Sequence, residues 1–184
     1  MADDREPAPA DILAFWLAAG HDRWYKRDDT LDAEVRRRYF DLWQKAAAGE
    51  LAAWEESDDG ALALTIVLDQ FPRNMFRDDP RAYSSDTLAR EVAGKAIDRG
   101  AAARIEPDLR AFLYMPFMHS EQLADQLRCV ELFRKAGNTE NLEYAEQHAD
   151  IIRRFGRFPH RNSVLGRTTT SDEQAFLDDG GFSG

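Results

Sequence analysis

Apolar residues recur along most of this 184-residue chain at intervals of three or four positions, the spacing of an amphipathic helix. Ile12, Phe15 and Trp16 follow this spacing in a first helix that Gly20 is expected to end. The segment LDAEVRRRYFDLWQKAAAG predicts a second helix, and GALALTIVLDQ, apolar nearly all round, predicts a central third helix. The β-branched run in this third segment has no strand-like partner elsewhere in the chain, which favours a helix.

The second half of the chain continues the helical pattern. A helix is predicted over about 85–99, followed by PDLRAFLYMPFMHSE, QLADQLRCVELFRKAG and TENLEYAEQHADIIRRFG. A last short helix is predicted to begin at Thr170 or Ser171, with Glu173 placed to complete a capping box with Thr170. The sequence therefore predicts an all-α single domain over residues 1–184. About seven or eight antiparallel helices would form either a bundle or a solenoid of helix hairpins.

Charge and cysteine content narrow the class of protein. The net charge of −10 argues against a nucleic-acid partner, whose binding proteins are usually basic, and against an anionic membrane surface. The lone cysteine, Cys129, excludes an internal disulfide and suits a reducing compartment. The start of the chain is acidic, whereas an export signal begins with basic residues. We therefore expect a cytoplasmic protein with no nucleic-acid and no membrane partner.

Two short motifs resemble each other, FPRN at 71–74 and FPHRN at 158–162. Each follows an apolar stretch with a Phe-Pro step and then presents an arginine and an asparagine. If the two motifs meet in space they form a polar site, and if they do not they are two helix terminators of similar sequence. We predict that they lie on the same side of the domain, within reach of MHSE at 118–121.

The segment around the second motif reverses the charge of the chain. Residues 151–171 contain five arginines and no acid, and clustered guanidinium groups bind carboxylates and phosphates. The alternative is that these arginines pair with acids on neighbouring helices and hold the segment in place. Phe155 and Phe158 are expected to anchor the segment to the core. The polar residues left to face elsewhere are Arg157, His160, Arg161 and Asn162.

Two further segments, the one around His119 and the one around His148, carry candidate chemistry. Pro116 lies within an apolar helical pattern and is expected to kink or end the helix just before His119. Ser120 is expected to cap the next helix, with Glu121 in its first turn. His148 lies on the inward face of its helix, either as a hydrogen-bonded core residue or as a base with a lowered pKa. The histidine spacings match no metal motif, and no nucleotide-binding or serine-hydrolase fingerprint is present, so we predict no metal and no cofactor.

Several of these stretches together resemble one family. LDQFPRNMFR, FLYMPFMHSE and RFGRFPHRNSVLGR, with ILAFWL before them, are similar to the motif blocks of the domain of unknown function 924 family, over about residues 10–178. Leu31 departs from the pattern, which leads us to expect an aromatic residue there. The resemblance implies a tetratricopeptide-like arrangement of helix hairpins and no established reaction. The family's motif positions fall here on Gln70, Arg73, Asn74, His119, Glu121, His148, Arg157, His160, Arg161 and Asn162.

Three functional hypotheses follow. The first is a module that binds an anionic small molecule or peptide through Gln70, Arg73, Asn74, Arg157, His160, Arg161 and Asn162. The second is a small enzyme, whose catalytic candidates are His119, His148, His160 and Glu121, with arginines stabilising negative charge. The third is a protein-interaction scaffold in which the motifs have a purely structural role. The sequence favours the first of these.

Overall fold

The computed structural model describes residues 5–182, and within that range the chain forms nine α-helices and no β-strand. This confirms the all-α prediction. The acidic residues Asp3 and Asp4 lie outside the described residues. The helices are α1 (Pro9–Ala19), α2 (His21–Trp24), α3 (Asp29–Ala47), α4 (Asp58–Met75), α5 (Asp86–Asp98), α6 (Pro107–Met118), α7 (Leu123–Ala136), α8 (Thr139–Phe155) and α9 (Ser171–Asp178).

The chain divides into two compact units. The first unit contains residues 5–77 and 81–116, and the second contains residues 78–80 and 117–182. The candidate residues of FPRN belong to the first unit, whereas MHSE and FPHRN belong to the second. The boundary between the units falls within α6, so its last residue, Met118, lies in the second unit. The single-domain organisation stays a prediction.

Helix α4 forms the centre of the first unit, as its nearly uniform apolar composition predicts. It packs against α1, α3 and α5, and every residue from 60 to 72 is buried. Aromatic rings fill the space around it. The ring centroid of Phe71 lies 4.9 Å from that of Tyr39, on which it stacks, and 5.7 Å from that of Trp16. Leu31, at the position where the family pattern suggested an aromatic residue, is also completely buried.

The first Phe-Pro motif lies inside α4, so the alternative interpretation of it as a helix terminator does not hold. Pro72 has no N–H to donate to the carbonyl of Leu68, one turn earlier. The hydroxyl of Ser85 donates to that carbonyl instead, at 2.6 Å. Because the freed acceptor is satisfied by a side chain from the start of the next helix, α4 continues through Pro72 to Met75.

The second unit is built on a helix hairpin. Helices α7 and α8 pack together and are joined by only two residues, of which Gly137 has the left-handed φ of 67° that suits glycine. A buried cluster of Ile151, Ile152 and Phe158 lies beyond the hairpin, with three more phenylalanines packed against it. Phe158 is completely buried, which confirms it as an anchor. The capping box between Thr170 and Glu173 is also present at the start of α9.

The junction between α6 and α7 differs from the prediction. α6 continues two residues past Pro116 and ends at Met118, directly before His119, where its end was expected. Gln122, not Ser120, is the N-cap residue of α7. The buried amide of Gln126 donates to the carbonyls of Met118 and Ser120, both at 2.6 Å, and so closes the end of α6. In the described part of the chain, no helix combines the length and the apolar character needed to cross a bilayer.

Candidate functional site

In the first unit the polar groups of FPRN are bonded to acids of the same unit. Arg73 makes a two-pronged contact with Asp86, at 2.8 and 2.9 Å, and also donates to the main-chain carbonyl of Asp69 at 2.7 Å. Burial opposes the charge of Arg73, but the carboxylates of Asp86 and Asp69 outweigh it and raise the pKa of the guanidinium. Gln70 donates to the completely buried Asp69 at 2.6 Å. These contacts stabilise the fold around α4.

Asn74 follows the same pattern. Its amide donates to Asp32 at 2.7 Å, and Arg77 holds both oxygens of the same carboxylate at 2.7 and 2.9 Å. Asp32 therefore connects α3 to the end of α4 within the first unit. The proximity of FPRN to FPHRN stays a prediction, because the two motifs belong to different units.

In the second unit Glu173 binds two of the candidate residues. Arg157 contacts both of its carboxylate oxygens, at 2.6 and 2.8 Å, and Asn162 donates to it at 3.1 Å. The hydrogen bonds from Arg157 lower the pKa of Glu173 to about 2. Glu173 is 2% exposed, and its carboxylate also accepts from the main chain of Thr170. The site residues Arg157 and Asn162 thus hold the start of α9 against the FPHRN segment.

Glu121 holds the other side of that segment. It accepts from both terminal nitrogens of Arg167, at 2.7 and 2.9 Å, and from the main-chain N–H of Phe158 at 2.8 Å. Arg167 in turn donates to the carbonyl of Phe158 at 3.1 Å. Burial raises the pKa of Glu121, but the hydrogen bonds from Arg167 outweigh it and leave the pKa below its ordinary value. The expectation that Glu121 lies in the first turn of α7 is wrong, because α7 begins at Leu123.

Arg161 is the most buried arginine of the segment, at 7% exposure. Its Nη1 donates to the main-chain carbonyl of His119 at 3.0 Å, and its guanidinium carbon lies 4.5 Å from the ring centroid of Phe158. By contrast, Arg153 is half-exposed and pairs with Asp150. The positive charge of Arg161 therefore lies deep in the second unit, beside the histidines.

His148 and His160 share the same aromatic surroundings. Their ring centroids lie 5.4 and 5.6 Å from that of Phe158, and 4.5 and 5.2 Å from that of Phe182. Burial, reinforced by the charge of Arg161, lowers the pKa of each imidazole to about 4. Both rings are therefore neutral at physiological pH.

The two rings differ in the hydrogen bonding of Nδ1. Nδ1 of His148 lies 2.7 Å from the carbonyl oxygen of Tyr144. Since a carbonyl only accepts, Nδ1 must carry the proton, and Nε2 of the neutral ring carries a lone pair. Nδ1 of His160 is buried and has no hydrogen-bond partner among the described residues.

Phe182 is placed over the two imidazoles by a pair of glycines. Gly180 has a φ of 79°, in the left-handed region that side chains disfavour. A Cβ on Gly181 would lie 2.5 Å from the carbonyl oxygen of Phe176, so only glycine fits there. Sequence reasoning missed this role of Phe182, and the Gly-Gly-Phe sequence is the signal that points to it.

Two other features bear on the possible chemistry. Among the described residues, no group of three histidine, cysteine or acidic side chains is arranged to hold a metal ion. Cys129 is completely buried, and burial raises the pKa of its thiol, which makes it a core residue rather than a nucleophile.

An open groove of about 450 Å³ lies in the first unit, between α1 and α3. Its floor includes Phe15 and Leu31, and Arg38 at its edge pairs with Glu34 at 3.1 Å. None of the candidate residues lines this groove. In the second unit, Arg161 donates to the main chain of His119, and its charge acts on the imidazoles of His148 and His160. We name these four residues the histidine site: His119, His148, His160 and Arg161.

Comparison with known proteins agrees with this helical architecture. No curated protein matches the chain. Among solved structures, the chain is similar to the protein of unknown function ATU0120 from Agrobacterium tumefaciens, with 44% sequence identity and a TM-score of 0.89 over 93% of this chain and 97% of that one. A family model, described as bacterial protein of unknown function (DUF924), matches residues 12–181. The chain therefore belongs to the DUF924 family, as its motif blocks indicated.

Proposed function

We propose that the protein binds a small anionic molecule, or an anionic group of a peptide, at the histidine site of its second unit. The proposal includes a tetratricopeptide-like arrangement of helix hairpins and a cytoplasmic location, which suits the lone buried thiol of Cys129. The sequence suggested seven ligand-binding residues in both units, and the proposal restricts the binding site to the histidine site of the second unit.

The narrowing comes from the hydrogen bonds of the other candidates. The side chains of five of them donate to carboxylates of their own unit and stabilise the fold, namely Gln70, Arg73, Asn74, Arg157 and Asn162. In the histidine site, a buried guanidinium lies beside two neutral imidazoles. This combination of positive charge and unprotonated ring nitrogens is the observation that carries the proposal.

The surroundings of the site strengthen its interaction with an anion. Phe158 and Phe182 exclude water from the imidazoles, and electrostatic interactions gain strength in such a low-dielectric environment. The planar guanidinium of Arg161 matches the geometry of carboxylate and phosphate oxygens. Phe182, which lies against both rings, is only partly buried.

The pKa values favour binding over catalysis. An efficient acid–base catalyst has a pKa near the working pH. The imidazoles of His148 and His160, with pKa values of about 4, are weak bases at pH 7. Glu121, a further catalytic candidate, is held as a carboxylate by Arg167. The enzyme hypothesis therefore has less support than ligand binding.

A screen of anions against matched variants tests the proposal. Phosphates, carboxylates and nucleotides are added to the wild type, Arg161→Lys and Arg153→Lys, and the melting temperature and the Kd by calorimetry are measured. An anion that raises the melting temperature of the wild type should bind Arg161→Lys about tenfold or more weakly, because lysine lacks the planar two-pronged contact. The half-exposed Arg153 is the control, and its variant should bind like the wild type.

A different result is expected if Arg161 has only a structural role. If no anion stabilises the wild type while Arg161→Lys alone melts early, the arginine only supports the fold and the binding proposal falls. The two results are distinguishable, because one appears in the ligand dependence of melting and the other in the melting of the free protein.

A further inference from the structure

The bond between Nδ1 of His148 and the carbonyl of Tyr144 determines what the ring offers to a ligand. At 2.7 Å this bond holds the proton on Nδ1, so the neutral imidazole presents a hydrogen-bond acceptor at Nε2. An oxyanion without a proton would bring another lone pair against this acceptor. An oxyanion with an O–H group would donate to it.

Burial, reinforced by the surrounding charges, keeps the two imidazoles neutral. His148 is surrounded by the groups of His119 and Arg161, and both disfavour a positive charge on its ring. Around His160, only Glu121 favours protonation, and it is outweighed by burial and by Arg161, His148 and Arg167. The acceptor at His148 is therefore a stable property of the free protein at neutral pH.

We propose that the histidine site selects a phosphate group that still carries a proton, either inorganic hydrogen phosphate or the monoanion of a phosphomonoester, over a fully deprotonated oxyanion such as sulfate. The proposal rests on the proposed function and goes further by naming the ligand class. Arg161 contacts the charged oxygens and His148 accepts from the P–O–H group. Sites that hydrogen-bond a ligand hydroxyl reject analogues that lack it, because their buried polar groups are then left unpaired.

The size of the preference follows from the cost of protonating the imidazole. Sulfate has no proton to donate, so its favourable binding requires His148 to take one up from solution. At pH 7, a group with a pKa of about 4 is protonated in about one molecule in a thousand, which reduces the apparent affinity by about that factor. Part of this penalty is avoided if sulfate binds away from the ring, so we expect a preference for phosphate of at least about tenfold.

Calorimetry with inorganic phosphate and sodium sulfate, at equal ionic strength, tests the preference. At pH 7 the wild type should bind phosphate at least about tenfold more tightly than sulfate. At pH 5 the difference should narrow, because protonating His148 then costs only about tenfold. Phenyl phosphate, a monoester, should bind more tightly as the pH falls through about 6, where it gains its proton.

A pair of variants assigns the preference to the imidazole. His148→Phe keeps a ring of similar shape and removes the acceptor, so the preference for phosphate over sulfate should fall to about the experimental error. His21→Phe changes an exposed histidine of the first unit and should keep the preference. Folding of both variants is checked by circular dichroism before binding is measured.

The outcomes separate the two proposals. If the wild type binds sulfate as tightly as phosphate at pH 7, the inference is wrong and the anion-binding function stands. If a folded His148→Phe variant keeps the preference, His148 is not its source and the inference is likewise overturned. If neither anion binds the wild type, the inference is overturned, and the proposed function fails as well only if no carboxylate or nucleotide of the anion screen binds.

Discussion

Replacing Phe158 with alanine tests the packing that supports the histidine site. The side chain is completely buried, packs against Ile151 and Ile152, and contacts the rings of two histidines. Its backbone N–H donates to Glu121, and this bond does not involve the ring. The substitution therefore removes the ring and leaves the main-chain hydrogen bonds available.

The magnitude follows from burial. Phenylalanine-to-alanine changes in cores cost about 3–5 kcal/mol of unfolding free energy, through lost transfer energy and the cavity that remains. The ring of Phe158 also lies 4.5 Å from the guanidinium carbon of Arg161, a contact that contributes about 1 kcal/mol. We therefore expect Phe158→Ala to lower the free energy of unfolding by about 4 kcal/mol. The control, Tyr144→Ala, removes a side chain that is 50% exposed and should change it by less than about 0.5 kcal/mol.

Urea denaturation followed by circular dichroism measures this difference. Helical ellipticity is the better signal, because all four tryptophans of the sequence lie within the first unit and their fluorescence would not report the second directly. A loss below about 1 kcal/mol for Phe158→Ala would contradict the reasoning, since a fully buried ring cannot be removed from a well-packed core at so low a cost.

Three further predictions concern single contacts. Ser85→Ala should cost about 1–3 kcal/mol in urea denaturation, because it leaves the buried carbonyl of Leu68 without a donor, and an unchanged midpoint would contradict this. The lowered pKa of Glu173 means that its contribution to stability is complete above its unfolded pKa of about 4.5 and is lost as the pH falls towards 2. Glu173→Gln should therefore reduce the decrease in the free energy of unfolding between about pH 4.5 and 2. If the variant loses stability over this pH range as steeply as the wild type, the ion pair with Arg157 does not contribute to it. Phe182→Ala should raise the pKa of His148 towards 6.5 in a pH titration by NMR, because water reaches the ring, whereas an unchanged pKa would show that Phe182 does not exclude it.

Local patterns in the sequence were sufficient to predict most of the helices. The spacing of Ile12 and Trp16, and the pairing of Thr170 with Glu173 three residues later, depend on contacts within a turn or two of the same helix. Phe158 was also recognisable, because an aromatic residue in an otherwise polar segment needs a place in the core. These features are short-range, and the sequence displays both partners side by side.

Long-range partners were not recognisable. The continuation of α4 through Pro72 depends on Ser85, which no local rule connects to the carbonyl it satisfies. The basic segment was visible in the sequence, but the carboxylates that bind it were not. Glu121 lies 46 residues from Arg167 in the sequence. Glu173 was assigned to the capping box of α9, which gave no sign that it also binds Arg157. Only the folded chain shows which arginines support the structure and which lies beside the histidines.

The central claim is that the histidine site binds an anion, and NMR of the imidazole nitrogens tests it most directly. In the free protein at pH 7, His148 and His160 should give the signals of neutral rings, with the proton of His148 on Nδ1. Titration with inorganic phosphate should shift both rings with one Kd and leave His21 unchanged. Arg161→Lys should raise that Kd about tenfold or more. If phosphate up to about 10 mM, well into the range of millimolar binding, moves neither ring, the site is part of the core and the claim is contradicted.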